Sequence, residues 1–143
     1  MKIIAIDPDL RKCGFADWTN GKFINIGSTQ LWDMFIYLRH SLMLAGKDGL
    51  IILIEDPRLR KGTWHGGGKG MARNVGKCEA VAIILEDFCK AHGLNYRMIA
   101  PAGYSKLFDN EDVFKRTTGW PGRTNKDARA AAAMCWTWKD EKW

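Results

Sequence analysis

The chain has 143 residues, a length typical of one domain with its own hydrophobic core, and we expect residues 1–143 to form a single domain. Lys and Arg outnumber Asp and Glu by 22 to 16, and the resulting net charge of +6 favours polyanionic partners such as nucleic acids. The four cysteines are widely spaced without a CxxC pair, no apolar run approaches the length of a membrane span, and the N-terminus lacks a signal peptide, so we expect a soluble, cytoplasmic protein without disulfides, zinc or membrane contact.

The first three predicted elements are strands of an antiparallel meander. The run KIIAID, residues 2–7, is nearly continuously apolar and predicts a central strand buried on both faces. CGFADW, residues 13–18, and KFINIGS, residues 22–28, predict two more strands. Asn20-Gly21 lies between them, a dipeptide that favours a tight type I′ hairpin turn.

Helices and strands alternate after the meander. Helical spacing of apolar residues from Leu31, with a stop at Gly46, predicts a first helix. GLIILIED, residues 49–56, predicts a fourth strand. A basic, glycine-rich loop is then expected to run to about Arg73, followed by a second helix that ends near His92.

The last predicted elements complete an α/β fold. NYRMIAP, residues 95–101, predicts a fifth strand, and a final helix follows with Thr124 or Asn125 as its N-cap. The order βββαβαβα indicates a mixed five-stranded sheet with helices on both faces.

Three carboxylates follow elements that such a sheet brings to one edge. Asp7 and Glu55 come directly after apolar strands, and Asp127 lies in the first turn of the last helix. If strands one and four are parallel neighbours, both strand acids leave the same edge. Three convergent carboxylates without His or Cys suit Mg²⁺ or Mn²⁺, and two such ions can activate water for phosphodiester hydrolysis. Each acid alone also has an ordinary explanation, as a turn residue, a strand end or an acid at a helix N-terminus.

A group of cations with one tryptophan follows the fourth strand. The candidates for nucleic acid binding in this group are Arg58, Arg60, Lys61, Trp64, Lys69, Arg73 and Lys77. Their charges would flank a site at Glu55 and guide a strand across it, and the tryptophan would stack on an unpaired base. A solvated loop without a ligand is the alternative interpretation of the same residues.

Five segments in matching order carry a family resemblance. IIAIDPDLRKCGFADW, LIILIEDP, RNVGKCEAVAIIL, IAPAGYSKLF and NKDARAAAAMC resemble the motifs of RuvC-like Holliday junction resolvases, over almost the whole chain. The resemblance implies an RNase H-like fold and magnesium-dependent cleavage of four-way DNA junctions. It also implies that Asp7, Glu55 and Asp127 bind the metal and that Lys106 neutralises a phosphate or takes part in catalysis. The compact size suits a member from a bacterial virus.

The resemblance further implies a homodimer, and apolar positions of the second helix beyond those needed for the core are candidates for its interface. These positions are Ala80, Ile83 and Ile84. Burial within a small domain is the ordinary explanation for such residues.

The chain departs from the family pattern at two positions. Asp9 stands where glycine is usual, so either the turn after the first strand differs or Asp9 takes a glycine-like backbone conformation. Ala130 stands where a fourth acid is expected, one helical turn after Asp127. Either the natural protein has lost a ligand or an aspartate has been replaced to inactivate it. The alternative functions are a noncatalytic protein that binds branched DNA and an RNase H-like nuclease that acts on flaps or RNA/DNA hybrids.

Overall fold

The computed structural model describes residues 1–60, 68–101 and 103–143. Its strands are β1 (Lys2–Asp7), β2 (Cys13–Thr19), β3 (Lys22–Thr29), β4 (Leu50–Glu55) and β5 (Tyr96–Ile99). Its helices are α1 (Leu31–Ala45), α2 (Lys69–His92), α3 (Glu111–Thr118) and α4 (Lys126–Trp138), with short 3-10 helices at Pro57–Leu59 and Gly103–Phe108. Within these described ranges, no helix combines the length and the apolar composition needed to cross a membrane.

The strands form one mixed sheet in the order β3-β2-β1-β4-β5. β1, β2 and β3 are antiparallel neighbours, and Asn20 and Gly21 both have positive φ in the turn between β2 and β3, as a type I′ turn requires. β4 and β5 run parallel to β1. Helices pack on both faces of the sheet, so the predicted fold class is confirmed.

Each face of the sheet has its own hydrophobic core. Alternation along β1 directs Ile4 and Ile6 to the face covered by α1 and α2. Ile3 and Ala5 point to the opposite face, which α4 covers with a run of buried alanines. All four β1 residues are buried, as expected for a central strand.

Two segments differ from the sequence prediction. α2 begins at Lys69, so Lys69 and Arg73 lie on a helix and not in the predicted loop. The first buried residue of α2 is Val81, which explains why apolar spacing placed the start of this helix too late. The segment after β5 contains a 3-10 helix and α3, which Asn110 caps and Gly119 ends in the left-handed conformation.

Close contact between β2 and the first turn of α4 sets the position of Asp127. Gly14 pairs with Asp7 in the β1–β2 ladder. A Cβ atom on Gly14 would lie 2.4 Å from the carbonyl carbon and oxygen of Asp127, whereas real Cβ contacts are essentially never under 3.0 Å. Glycine at this position therefore lets α4 begin directly against the strand pair that carries Asp7.

We expect Gly14→Ala to displace the first turn of α4 and to lower the free energy of unfolding by about 1 to 3 kcal/mol, the usual cost of overpacking. Gly27→Ala in β3 is the matched control, because its Cβ would meet only the Phe15 ring at an ordinary 3.5 Å. Urea unfolding of both variants measures the difference. Equal stability of the two variants would contradict the close approach.

Candidate active site

Asp7 and Glu55 end neighbouring parallel strands. The β1–β4 register pairs Ile6 with Ile54, so Asp7 and Glu55 lie side by side one residue further along. Strand alternation directs both side chains to the face of Leu53, which is the face that α4 covers. The condition set from the sequence, that strands one and four be parallel neighbours, is met.

Asp127 approaches the same edge from α4. Asn125, one of the two predicted caps, accepts a hydrogen bond from a backbone N–H of the first turn at 2.8 Å. Its side-chain amide donates to Ser28 Oγ at 2.6 Å and fastens this turn to the end of β3. With the contact at Gly14, these bonds bring the backbone of Asp127 next to the residue that pairs with Asp7.

The Asp7 carboxyl has the least favourable electrostatic environment of the three. Burial raises its pKa from 3.8 to about 8, and the negative charges of Glu55, Asp127 and Asp9 act in the same direction. Within the described part of the chain, no cation opposes this shift. Asp7 is therefore the acid whose charge is least compensated by the protein.

Glu55 is held by a hydrogen bond that the sequence did not reveal. The Tyr104 hydroxyl donates to Oε2 of Glu55 at 2.5 Å. Burial raises the pKa of Glu55, whereas this hydrogen bond and the charge of Arg60 lower it. The Tyr104 hydroxyl stays protonated, because burial and the charges of Glu55 and Asp7 raise its pKa. A lone tyrosine in a segment without periodicity gives no sequence signal for such a role.

Asp127 shares its surroundings with Asp9. Burial and the charge of Asp9 raise the pKa of Asp127, and the charge of Lys126 lowers it. The negative charges of Glu55 and Asp127 act on Asp7, whose pKa they raise further.

The turn after β1 is built on the Asp9 side chain. Asp9 Oδ1 accepts hydrogen bonds from the backbone N–H groups of Arg11 at 2.8 Å and of Lys12 at 3.3 Å, as in an Asx turn. Among the described non-glycine residues, only Asn20 has positive φ. Of the two alternatives raised by the sequence, the turn itself differs, and Asp9 does not take a glycine-like conformation.

A cavity of about 220 Å³ opens beside Asp7 and Glu55. Its remaining lining is largely apolar: Pro8, Pro57, Arg60, Met71, Asn74, Val75, Cys78 and Pro101. A second cavity, of about 340 Å³, is lined by Asp9, Leu10, Arg11, Asn74 and Lys77. Asn74 lines both cavities, so the first turns of α2 form a wall shared by the two.

The predicted DNA-binding cations differ in their surroundings. Arg58 is engaged within the protein, because its guanidinium donates to both oxygens of Asp56 at 2.8 to 3.1 Å and to Glu86 Oε2 at 3.0 Å. Arg60 lines the cavity at Glu55. The exposed candidates on the first part of α2 are Lys69, Arg73 and Lys77. Lys61 and Trp64 lie outside the described residues.

Lys106 and Ala130 lie on the α4 side of the sheet in different settings. Lys106 is exposed on the 3-10 helix that also carries Tyr104, and within the described ranges it forms no salt bridge. Ala130 is buried on α4, one turn after Asp127.

Asp7, Glu55 and Asp127 offer carboxylate oxygens as donors for a metal ion. Across residues 1–60, 68–101 and 103–143, no group of three or more His, Cys, Asp or Glu side chains is arranged to hold a metal ion. The donor chemistry fits Mg²⁺ or Mn²⁺, because the donors are carboxylates and the charge around Asp7 is uncompensated. A divalent cation would offset the repulsion that raises the pKa of Asp7. Asp7, Glu55 and Asp127 are therefore chemically suited to the cation that the sequence resemblance implies.

Comparison with known proteins gives agreement in fold at low sequence identity. No protein-family model and no curated protein matches the chain. A solved structure, T. thermophilus RuvC in complex with Holliday junction substrate, is similar with a TM-score of 0.59 and 11% identity, covering 97% of this chain and 95% of that chain. A structure of Thermus thermophilus RuvC has a TM-score of 0.55 with the same identity and coverage. The chain has the RuvC fold. The RNase H-like architecture implied by the five sequence segments is thereby confirmed.

The raised pKa of Asp7 predicts how the stability of this RuvC-like fold depends on pH without metal. A carboxyl with a pKa of 3.8 when unfolded and about 8 when folded contributes stability below pH 4, and this contribution is lost as the pH rises toward 8. Asparagine cannot ionise, so the Asp7→Asn variant does not lose stability in this way as the pH rises. We therefore expect its melting temperature at pH 8 in EDTA to lie at least about 4 °C above that of the wild type. The difference should shrink toward pH 4. A constant difference across this range in circular dichroism melts would contradict the shift.

Proposed function

We propose that the chain is a metal-dependent endonuclease that cleaves phosphodiester bonds in four-way DNA junctions. The observation that carries the proposal is the meeting of three chain segments at one edge of the sheet, Asp7 and Glu55 by strand register and Asp127 by the contact of α4 with β2. Carboxylates with strongly perturbed pKa values are concentrated at functional sites. The shared fold with a RuvC that was solved with a Holliday junction substrate supports the choice of substrate.

The proposed cofactor is Mg²⁺, with Mn²⁺ as a substitute. Asp7, Glu55 and Asp127 would be its ligands, and bound cations would supply activation of a water and stabilisation of the leaving oxygen in two-metal hydrolysis. The half-buried Asp7 would anchor the site from β1, while the exposed Asp127 would complete it from the solvent side. Lys106, exposed on the 3-10 helix that carries Tyr104, is proposed to neutralise a phosphate of the bound DNA or to assist catalysis.

Charge on α2 supports DNA binding next to this site. Lys69, Arg73 and Lys77 follow one another at intervals of four residues and therefore share one face of the exposed part of the helix. The second cavity, at Lys77 and Arg11, extends this positive surface toward the turn after β1. Phosphate contacts of this kind fix the position of DNA without reading bases, which suits selection of a branched structure by shape.

The other proposed DNA contacts contribute unequally. Arg58 should contribute less than its charge suggests, because Asp56 and Glu86 already neutralise it. Arg60 is proposed to contact DNA at the cavity beside Glu55. Lys61 and Trp64 lie outside the described residues, and their proposed DNA contacts rest on the sequence alone.

An apolar surface across α1 and α2 supports a homodimer. Ile83 and Ile84 of α2 are 39% and 46% exposed. Phe88 of α2 stacks on Phe35 of α1 with ring centroids 4.4 Å apart, and Trp32 meets Phe35 edge-on at 6.4 Å. These ring contacts connect the two helices, and a second copy of the chain is proposed to cover the apolar residues exposed on them.

A noncatalytic relative that binds branched DNA is the second candidate. The observation that favours it is Ala130, which is buried on α4 where the sequence resemblance expects a fourth acid. Such a protein would bind junctions with or without Mg²⁺ and would not cut them. A nuclease that acts on flaps or RNA/DNA hybrids would use the same carboxylates on a different substrate.

Incubation with a mobile four-way junction, a linear duplex and an RNA/DNA hybrid, in Mg²⁺ and in EDTA, separates these functions. We expect Mg²⁺-dependent nicking of the junction and at least about 100-fold slower nicking by Asp127→Asn, equivalent to about 2.7 kcal/mol of barrier. Asp112→Asn is the matched control, because both acids occupy the second position of a helix and complement its dipole. Junction binding without cutting would favour the noncatalytic relative, and cutting of the hybrid alone would exclude junctions as the substrate.

Ala130→Asp supplies the acid that the family pattern expects. Positions 127 and 130 are one turn apart, so we expect the new carboxylate to join Asp127 as a ligand and to raise metal-dependent cleavage by about tenfold or more. Ala130→Asn controls for the burial of a polar group of the same shape without charge. If neither variant cuts junctions faster than the wild type at equal Mg²⁺, the placement of Ala130 beside the metal is wrong.

A further inference from the structure

Tyr104 connects the Glu55 carboxylate to α4. Its hydroxyl donates to Glu55 Oε2 at 2.5 Å, and its ring meets Trp138 of α4 edge-on, with ring centroids 5.5 Å apart. Tyr104 is only 8% exposed, so water competes little for this hydrogen bond. The bond therefore links the acid at the end of β4 to the helix that carries Asp127.

The segment that carries Tyr104 is fixed to α4 at a second point. The Arg129 guanidinium donates to the backbone oxygens of Phe108 at 2.9 Å and of Asp109 at 3.1 Å. These bonds tie the end of the 3-10 helix to the first half of α4. Trp138, in the last turn of α4, packs against Tyr104. The tyrosine hydroxyl is thus held from both ends of one helix.

A fixed hydroxyl has a specific consequence for a carboxylate ligand. A glutamate side chain has several rotatable bonds and loses their freedom when it binds a cation in a single geometry. A hydrogen bond to one oxygen restricts this freedom beforehand and leaves the other oxygen for the cation. Carboxylates that bind metals are commonly oriented by such partners, whose loss lowers metal affinity.

We propose that Tyr104 is a positioning residue that orients the Glu55 carboxylate for a divalent cation. This inference rests on the proposed function, because it requires Glu55 to be a metal ligand. Tyr104 acts through Glu55 and does not itself bind the cation. Tyr104→Phe removes only the hydroxyl and keeps the ring that packs against Trp138.

Mn²⁺ binding to the full chain without DNA, measured by titration calorimetry and by electron paramagnetic resonance of free Mn²⁺, tests the inference apart from activity. We expect Tyr104→Phe to raise the Mn²⁺ dissociation constant by about 10-fold to 100-fold. Its melting temperature should stay within about 5 °C of the wild type, because one hydrogen bond makes a modest net contribution. In junction cleavage, the variant should need more Mg²⁺ for half-maximal rate and should approach the wild-type rate when Mg²⁺ is saturating.

Tyr96→Phe is the matched control. The Tyr96 hydroxyl donates at 3.4 Å to Glu86, an acid on α2 outside the proposed metal site, so its loss should leave Mn²⁺ affinity unchanged. An unchanged dissociation constant in Tyr104→Phe, an equal loss in Tyr96→Phe, or an unfolded Tyr104→Phe protein would overturn the positioning role while leaving the proposed function in place. Absence of both Mn²⁺ binding and cleavage in the wild type would overturn the proposed function, and the inference with it.

Discussion

The close approach of α4 to Gly14 is the constraint on which the candidate site depends. Asp7 and Glu55 are placed by hydrogen-bonded strands, which leaves their separation little freedom. Asp127 is carried by a helix that could otherwise lie at many distances from the sheet. The contact at Gly14 removes that freedom, since Gly14 is the ladder partner of Asp7 and its Cα lies against the Asp127 backbone. Backbone contact therefore sets the distance between the third acid and the other two.

Bringing these acids together has an electrostatic cost that the protein offsets unevenly. Tyr104 and Arg60 act on Glu55, and Lys126 acts on Asp127, so both acids have some compensation. Asp7, between them, has the largest shift and no opposing cation in the described ranges. A carboxylate whose charge is not compensated lowers the stability of the fold unless a ligand offsets that charge. Groups at active sites often reduce stability in this way. Of the three acids of the candidate site, Asp7 is therefore the one whose charge the described residues compensate least.

Periodicity predicted the elements that have buried faces and failed where burial is slight. The apolar runs predicted β1 and β4 as buried strands, their parallel pairing was only a condition until the structure showed it, and the acids that follow them were the candidate site residues. The start of α2 was placed too late because its first turns are exposed, and α3 was not predicted because only Phe114 of its residues is buried. Asn110 and Gly119 were readable end signals for α3. The bond from Tyr104 depends on a tertiary contact across 49 positions of the chain, which no local pattern encodes.

The alanines of α4 serve packing and the site together. Ala128, Ala131 and Ala132 are fully buried against the sheet, where α4 contacts β1 and β2. Side chains of one carbon let a helix lie closer to a sheet than leucines would, because the two surfaces must remain close-packed. Larger residues along this face would lift the whole helix and with it the first turn that carries Asp127. The alanine run and Gly14 therefore meet one steric requirement from opposite sides, and the packing of this helix is the reason that the turn carrying Asp127 begins beside the strand pair of Asp7.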